Sequence, residues 1–172
     1  FQTSGLFSFR LAKIAAAEDV RFVEMTVIRK HGADGVVEVT LQSKDDTARG
    51  YSPITNVTVN GSSSISTDEN FDFVHMNALT LVFENRERSK TAYLELLDDE
   101  LFETTFETLT VKIIAVAATV GGSGTAAIGR QDELRIKLYD YNDGEELVGT
   151  YFDVTGGYLE HLQGWSVVGN GK

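Results

Sequence analysis

At 172 residues, with 15 Lys plus Arg against 26 Asp plus Glu and a formal charge of -11, the chain is long enough to bury a core and too acidic to compete for nucleic acid. A charged fraction of 24% beside a hydrophobic fraction of 42% excludes wholesale disorder, and the length fits one domain, or one domain with an appendage. Zero cysteines exclude disulfides, zinc–thiolate sites, iron–sulfur clusters and thiol nucleophiles. No apolar stretch approaches the roughly 20 residues of a membrane-spanning helix, so no direct membrane insertion is expected. The chain opens Phe1-Gln2-Thr3 without an initiator Met or a signal-type apolar run, and reads as a piece of something longer.

Period-2 alternation rich in β-branched and aromatic residues recurs from end to end, and no window of a dozen residues holds a 3.6 period. The first predicted strand is Leu6 to Ala12, followed by Val20 to Arg29 and Val36 to Gln42. Arg49 to Asn70 interrupts the pattern as a long polar insert holding the only proline, Pro53. Within it, Asn56-Val57-Thr58 and Asn60-Gly61-Ser62 are N-glycosylation acceptors, making Asn56 and Asn60 candidate glycan sites on a surface loop of a secreted or ectodomain protein. Strands resume at Leu79 to Phe83, Thr91 to Leu97, Thr108 to Val116 and Glu133 to Tyr139, with Gly121 to Gly124 a flexible hairpin connection. In Lys90 to Leu97, the alternation turns Ala92, Leu94 and Leu96 inward and Tyr93 and Glu95 outward. About seven strands bounded by turn signals make an all-β antiparallel sandwich. Alternation weakens after Asp143-Gly144, so residues 1–146 are read as the sandwich with its insert at 49–70, and 147–172 as a C-terminal extension or the start of a neighbouring module.

The acids are clustered. Between Lys90 and Lys112 stand Glu95, Asp98, Asp99, Glu100, Glu103 and Glu107 with no Lys or Arg among them, and Asp140, Asn142, Asp143, Glu145 and Glu146 follow the last strand. Like charges at this density repel, and burial raises carboxyl pKa values, so an unpartnered cluster destabilises a fold. A divalent cation removes that cost. Oxygen-only ligands at strand-end loops, without His or Cys, suit calcium, which takes about 6–8 oxygens, better than zinc or copper. The competing reading is a solvated acidic face that discourages strand aggregation.

Asp98-Asp99-Glu100-Leu101-Phe102-Glu103 after the strand Tyr93-Leu94-Glu95-Leu96-Leu97 resembles the Calx-β domain family, in which a strand ends in acids, an aliphatic-aromatic pair and a glutamate. Ala17-Glu18-Asp19 before a strand ending Val27-Ile28-Arg29 resembles the family's early glutamate and "V-x-R" strand. Ser43-Lys44-Asp45-Asp46-Thr47-Ala48 is similar to its "T-x-D-G-T-A" turn, and Phe71-Asp72-Phe73 with Leu79 to Phe83 to its "D-Y…G-T-L-x-F". Leu138-Tyr139-Asp140-Tyr141-Asn142-Asp143 stands where the family closes with an aspartate triplet. The resemblance covers about residues 6–143. It implies a seven-strand immunoglobulin-like sandwich that binds calcium in loops at one end. The matching ligand positions are Glu18, Asp45, Asp98, Asp99, Glu103, Asp140, Asn142 and Asp143, with Leu101 as a backbone carbonyl donor.

Other signals are set aside. Asp140 to Gly144 places its glycine one position early for an EF-hand loop, and Gly122-Ser123-Gly124-Thr125-Ala126-Ala127 lacks the βαβ context of a dinucleotide site. His31, His75 and His161 are scattered, with no serine in a nucleophile elbow, so no catalysis is expected. The carboxylates crowd one loop end instead of facing across a cleft, which argues against glycoside hydrolysis. The expected protein is a non-catalytic, calcium-binding structural or adhesion module of a larger extracellular or cell-surface protein. Its expected partners are neighbouring domains of the same chain or other subunits of an assembly. Two alternatives stand beside it: a cytosolic calcium-sensing regulatory domain of a membrane protein, and a carbohydrate-binding sandwich using Tyr151, Phe152, Tyr158 and Trp165.

Overall fold

The computed structural model describes residues 3–52, 71–98, 106–120, 124–139 and 166–168, all of them strand, turn or irregular chain. The strands in chain order are β1 (Gly5–Phe9), β2 (Lys13–Ala17), β3 (Phe22–Lys30), β4 (Val36–Asp45), β5 (Gly50–Tyr51), β6 (Phe73–Val74), β7 (Leu79–Phe83), β8 (Ser89–Glu95), β9 (Glu107–Val120), β10 (Ala126–Ile128), β11 (Glu133–Tyr139) and β12 (Ser166–Val168). Alternation fixes which face of each strand turns inward. Thus β3 buries Val23, Met25, Val27 and Arg29, β4 buries Val37, Val39, Leu41 and Ser43, and β8 buries Ala92 and Leu94 while Tyr93 stays exposed.

The strands form one sheet in the order β10-β1-β3-β8 and another in the order β12-β2-β11-β9-β4-β7, with β5 and β6 as a small parallel pair. The core draws on both sheets: Phe7, Val27 and Leu94 come from the first, and Val39, Val111, Ile136 and Phe83 from the second. Phe7 meets Phe83 edge to face at 5.0 Å between ring centroids, a geometry worth about 0.5–1.5 kcal/mol beyond its buried area. The fold is the expected all-β sandwich.

Its details differ from the sequence reading in three places. The strand expected over Leu6 to Ala12 ends at Phe9, and a further strand, β2, follows at Lys13–Ala17 where none was expected, because the chain changes sheets at exposed Arg10, Leu11 and Ala12. Arg10 N–H donates to Thr26 O of the first sheet at 2.9 Å, and Ala12 O accepts from Arg135 N–H of the second at 3.0 Å. The crossing makes β2 run parallel to β11, so the sandwich is not purely antiparallel; β1 with β10 and β2 with β12 are parallel as well. The strand expected to stop at Val116 runs on to Val120, past a register shift opposite Thr40/Leu41. Ser166–Val168, in the stretch read as a C-terminal extension, lies as a strand beside β2. Most of the polar insert, with Asn56 and Asn60, lies outside the described residues, as do the tail aromatics Tyr151, Phe152, Tyr158 and Trp165.

Candidate metal centre at the acidic pole

Strand direction gathers the acids at one end. β2 and β11 finish side by side, with Tyr139 opposite Ala17, and Glu18 N–H donates to Tyr139 O at 3.0 Å. β9 starts at that end, with Glu107 opposite Leu138, and β4 finishes there, with Asp45 opposite Leu109. In the other sheet Glu95, ending β8, lies opposite Phe22, the first residue of β3, so Leu96, Leu97 and Asp98 leave the sandwich beside the turn Glu18 to Arg21. Glu18, Asp45 and Asp98 therefore share one pole although they lie 80 positions apart along the chain (98 − 18).

Glu18 is buried, at 6% exposure. Its neighbour Asp19 carries a fully buried carboxylate oxygen, Oδ1, that takes no hydrogen bond among the described residues. Leaving such an oxygen desolvated and unpaired costs about 1–3 kcal/mol, more when it is charged, unless something positive meets it. The sequence reading passed over Asp19, whose only signal was its place after the family-like glutamate. Asp98 is exposed, and the backbone before it is fixed by buried Asp72, whose carbonyl accepts Leu97 N–H at 2.9 Å and whose Oδ2 accepts Arg49 N–H at 2.5 Å.

Asp45 is tied up locally. Its Oδ1 accepts Gly50 N–H at 3.1 Å and lies 3.1 Å from His75 Nε2, while His75 Nδ1 lies 3.1 Å from Ser43 Oγ. Ser43, His75 and Asp45 thus form a line of serine, imidazole and carboxylate that 32 residues of separation between Ser43 and His75 hid from the sequence reading. Ser43 is itself buried, and its Oγ accepts Met76 N–H at 2.8 Å, so the hydroxyl is spent on holding residues 75–76 against β4. Asp46 accepts Thr108 Oγ1 at 2.6 Å, and Thr47 N–H donates to Thr108 O at 3.0 Å, which fastens this turn to β9.

Gly50 permits the close pass of the imidazole, since a Cβ there would lie 2.5 Å from His75 Nε2. Gly50→Ala is expected to cost about 1–3 kcal/mol, as overpacking does, read as a lower urea midpoint. An unchanged midpoint would show that the ring has room to move.

Asp99, Leu101, Glu103, Asp140, Asn142 and Asp143 lie outside the described residues, in segments that border directly on Asp98, Phe106 and Tyr139 of this pole. Among the described residues alone, no three His, Asp or Glu side chains are grouped to hold a metal. On the outer face of the same sheet, Lys137 is buried with Nζ 3.2 Å from the centre of the Phe106 ring. Burial pushes its amine below its ordinary pKa, and Lys13 adds to the fall.

Fold and pole together define a small β-sandwich module with acids from distant segments converging at one end. The chain belongs to the Calx-beta domain family, whose sequence model matches residues 2–54 and 49–128. Among solved structures it is similar to the Calx CBD2 domain, at 18% identity and TM-score 0.64 over 83% of this chain and 90% of that one. It is also similar to the apo form of the Calx CBD1 domain, at 15% identity and TM-score 0.57 over 79% and 96%. The calcium binding domain CBD12 of CALX1.1 matches at 16% identity and TM-score 0.56, over 78% of this chain and 44% of that one. No curated protein sequence matches the chain.

Proposed function

We propose that this chain is a non-catalytic module that binds calcium at its acidic pole and is stiffened by it. The carrying observation is the buried Oδ1 of Asp19, without a hydrogen-bond partner among the described residues, beside buried Glu18, at the pole that the acid-rich segments border. Glu18, Asp19 and Asp98 would hold the ion with Asp99, Glu103, Asp140, Asn142, Asp143 and the Leu101 carbonyl; Asp45, through its bond to His75, would sit at the edge of the set. Calcium supplies charge neutralisation and a common centre for loops that otherwise repel. The burial of Ser43 and the commitment of its hydroxyl to Met76 N–H speak against a hydrolytic use of the Ser43, His75 and Asp45 line.

We place the module in a larger extracellular or cell-surface protein, in structural or adhesive service, joined to neighbouring domains or other subunits. The two glycan acceptors at Asn56 and Asn60 support that setting. The likeness to the Calx CBD domains supports a second reading, a cytosolic calcium-sensing regulatory domain. Residues 1–146 would be the module and 147–172 an extension that returns a strand to it.

Melting followed in calcium and then in chelator tests the central claim. Calcium at a hundredfold excess over Kd adds about 2.7 kcal/mol, which raises Tm by about 5–11 °C in a domain of this size. A melting point indifferent to calcium would remove the metal from the proposal. A Kd near 10⁻⁴–10⁻³ M fits the extracellular role and 10⁻⁷–10⁻⁵ M the sensor. Glycan found on Asn56 or Asn60 would eliminate the cytosolic setting.

A further inference from the structure

The pole opposite the acids is built differently. There β1 begins, β3 ends and β7 turns into β8, and a notch of about 510 Å³ opens between Thr3, His31, Gly32, Ala33, Asp34, Arg86 and Arg88. In a chain of net charge -11, three of the seven lining residues are basic.

Two of the acids nearby are turned to other cations. Glu87 Oε1 lies 3.1 Å from Lys90 Nζ, and Glu87 Oε2 accepts Glu84 N–H at 2.8 Å. Asp34 faces buried Arg29, whose guanidinium its charge favours and which its carbonyl oxygen meets at 2.7 Å. The Arg86 and Arg88 guanidinium groups have no ion pair or hydrogen bond among the described residues. Arg88 also presses on Arg29, adding to the fall in its pKa that burial causes first.

Backbone geometry points to the same place. Among the described residues only His31, Ala78 and Arg86 hold positive φ without being glycine, at 58°, 145° and 69°. Two of those three, His31 and Arg86, are among the three basic residues of this notch, at left-handed positions where glycine or asparagine sits at lower cost. Strain of about 1–3 kcal/mol held at a residue whose side chain has no partner among the described residues is a mark of a site. The frame beneath is rigid: Arg86 N–H donates to Ala33 O at 2.7 Å, Gly35 N–H donates to Asn85 Oδ1 at 3.0 Å, and Thr3 Oγ1 donates to His31 O. Gly32, at φ 144°, has no room for a Cβ against Thr3.

We propose that this notch binds a tetrahedral oxyanion, a phosphate or sulfate group free or borne on a small organic molecule, between Arg86, Arg88 and His31. Arginine presents paired N–H donors in a planar fork, which suits such a group better than a single ammonium does. The anion also relieves the repulsion between Arg29 and Arg88.

Titration of the full chain, in chelator so that calcium phosphate cannot form, tests this by amide NMR with inorganic phosphate, sulfate and glycerol phosphate at constant ionic strength. Saturable shifts confined to residues 31–35 and 86–88 are expected, with affinity at least tenfold weaker in Arg86→Gly and in Arg88→Gln. Tighter binding of glycerol phosphate than of phosphate would place the group on a larger molecule; equal binding would make the free ion sufficient; either supports the site. Because glycine accepts the φ of residue 86, Arg86→Gly is expected to melt no lower than the parent, which separates lost binding from lost folding. Shifts matched by chloride, or unchanged in both variants, would overturn the proposal.

Discussion

Replacing Arg29 by methionine is expected to remove about 3–5 kcal/mol of stability, the combined cost of leaving several carbonyls without their donor. Arg29 is 2% exposed on β3, at the position where the alternation calls for an apolar residue. Its Nε donates to Ser4 O at 2.8 Å, Nη1 to Glu84 O at 3.2 Å, and Nη2 to Asp34 O and Gly35 O at 2.7 and 3.1 Å. Four carbonyls from three chain segments thus accept from one cation, which also lies 5.4 Å from the centre of the Phe7 ring. Methionine keeps the apolar contact with Phe7 but takes this donor from the Ser4, Asp34 and Gly35 carbonyls, at about 1–3 kcal/mol for a buried unsatisfied group, while the Glu84 carbonyl keeps the Glu87 N–H at 3.0 Å. Small domains hold only about 5–15 kcal/mol in all, so the variant is expected to lose roughly a fifth or more of it. Arg29→Lys keeps the charge but lacks the planar fork, and is expected to fall between the two. Urea unfolding at unchanged m-value measures this. A loss under about 1 kcal/mol for Arg29→Met would show that water or backbone movement satisfies the carbonyls.

The strands were readable wherever one face meets the core and the other meets solvent. β7 and β11 have the bounds that alternation gave them, Leu79–Phe83 and Glu133–Tyr139, and Ala92, Leu94 and Leu96 face inward as expected. Reading failed where that two-sided rule is broken. In β2, Ile14, Ala15 and Ala16 are all buried, so Lys13–Ala17 shows no alternation. In β9, Ile113 is buried and Ile114 is 43% exposed, but the register shift opposite Thr40/Leu41 changes the phase, and the pattern fades where the strand continues. The strand-end places of Glu18, Asp45 and Asp98 were legible, because the loops that close a β-sandwich must collect at its two ends. Asp19 and the Ser43 to His75 bond were not, since burial and pairing across many residues leave no local pattern.

Asp19→Asn separates a metal ligand from a merely structural acid by the sign of its effect. In chelator the substitution removes one charge from a pole that also holds Glu18, Asp98 and Glu107. Each like charge about 4 Å away costs about 1 kcal/mol in water and less with distance and salt, so the variant is expected to gain about 0.5–1 kcal/mol. In calcium the order reverses. The parent gains about 2.7 kcal/mol at a hundredfold excess over its Kd, whereas a variant whose Kd has risen about a hundredfold gains only about 0.4 kcal/mol from the same calcium. The variant therefore melts above the parent without calcium and below it with calcium, a crossing that a lost structural hydrogen bond cannot produce. Glu18→Gln is expected to shrink the calcium response in the same way. Adding sodium chloride in chelator narrows the first gap, because screening does for the parent part of what the substitution does for the variant. Equal losses in both conditions would make Asp19 a structural residue and send the search for ligands back to the segments between Asp98 and Phe106 and after Tyr139.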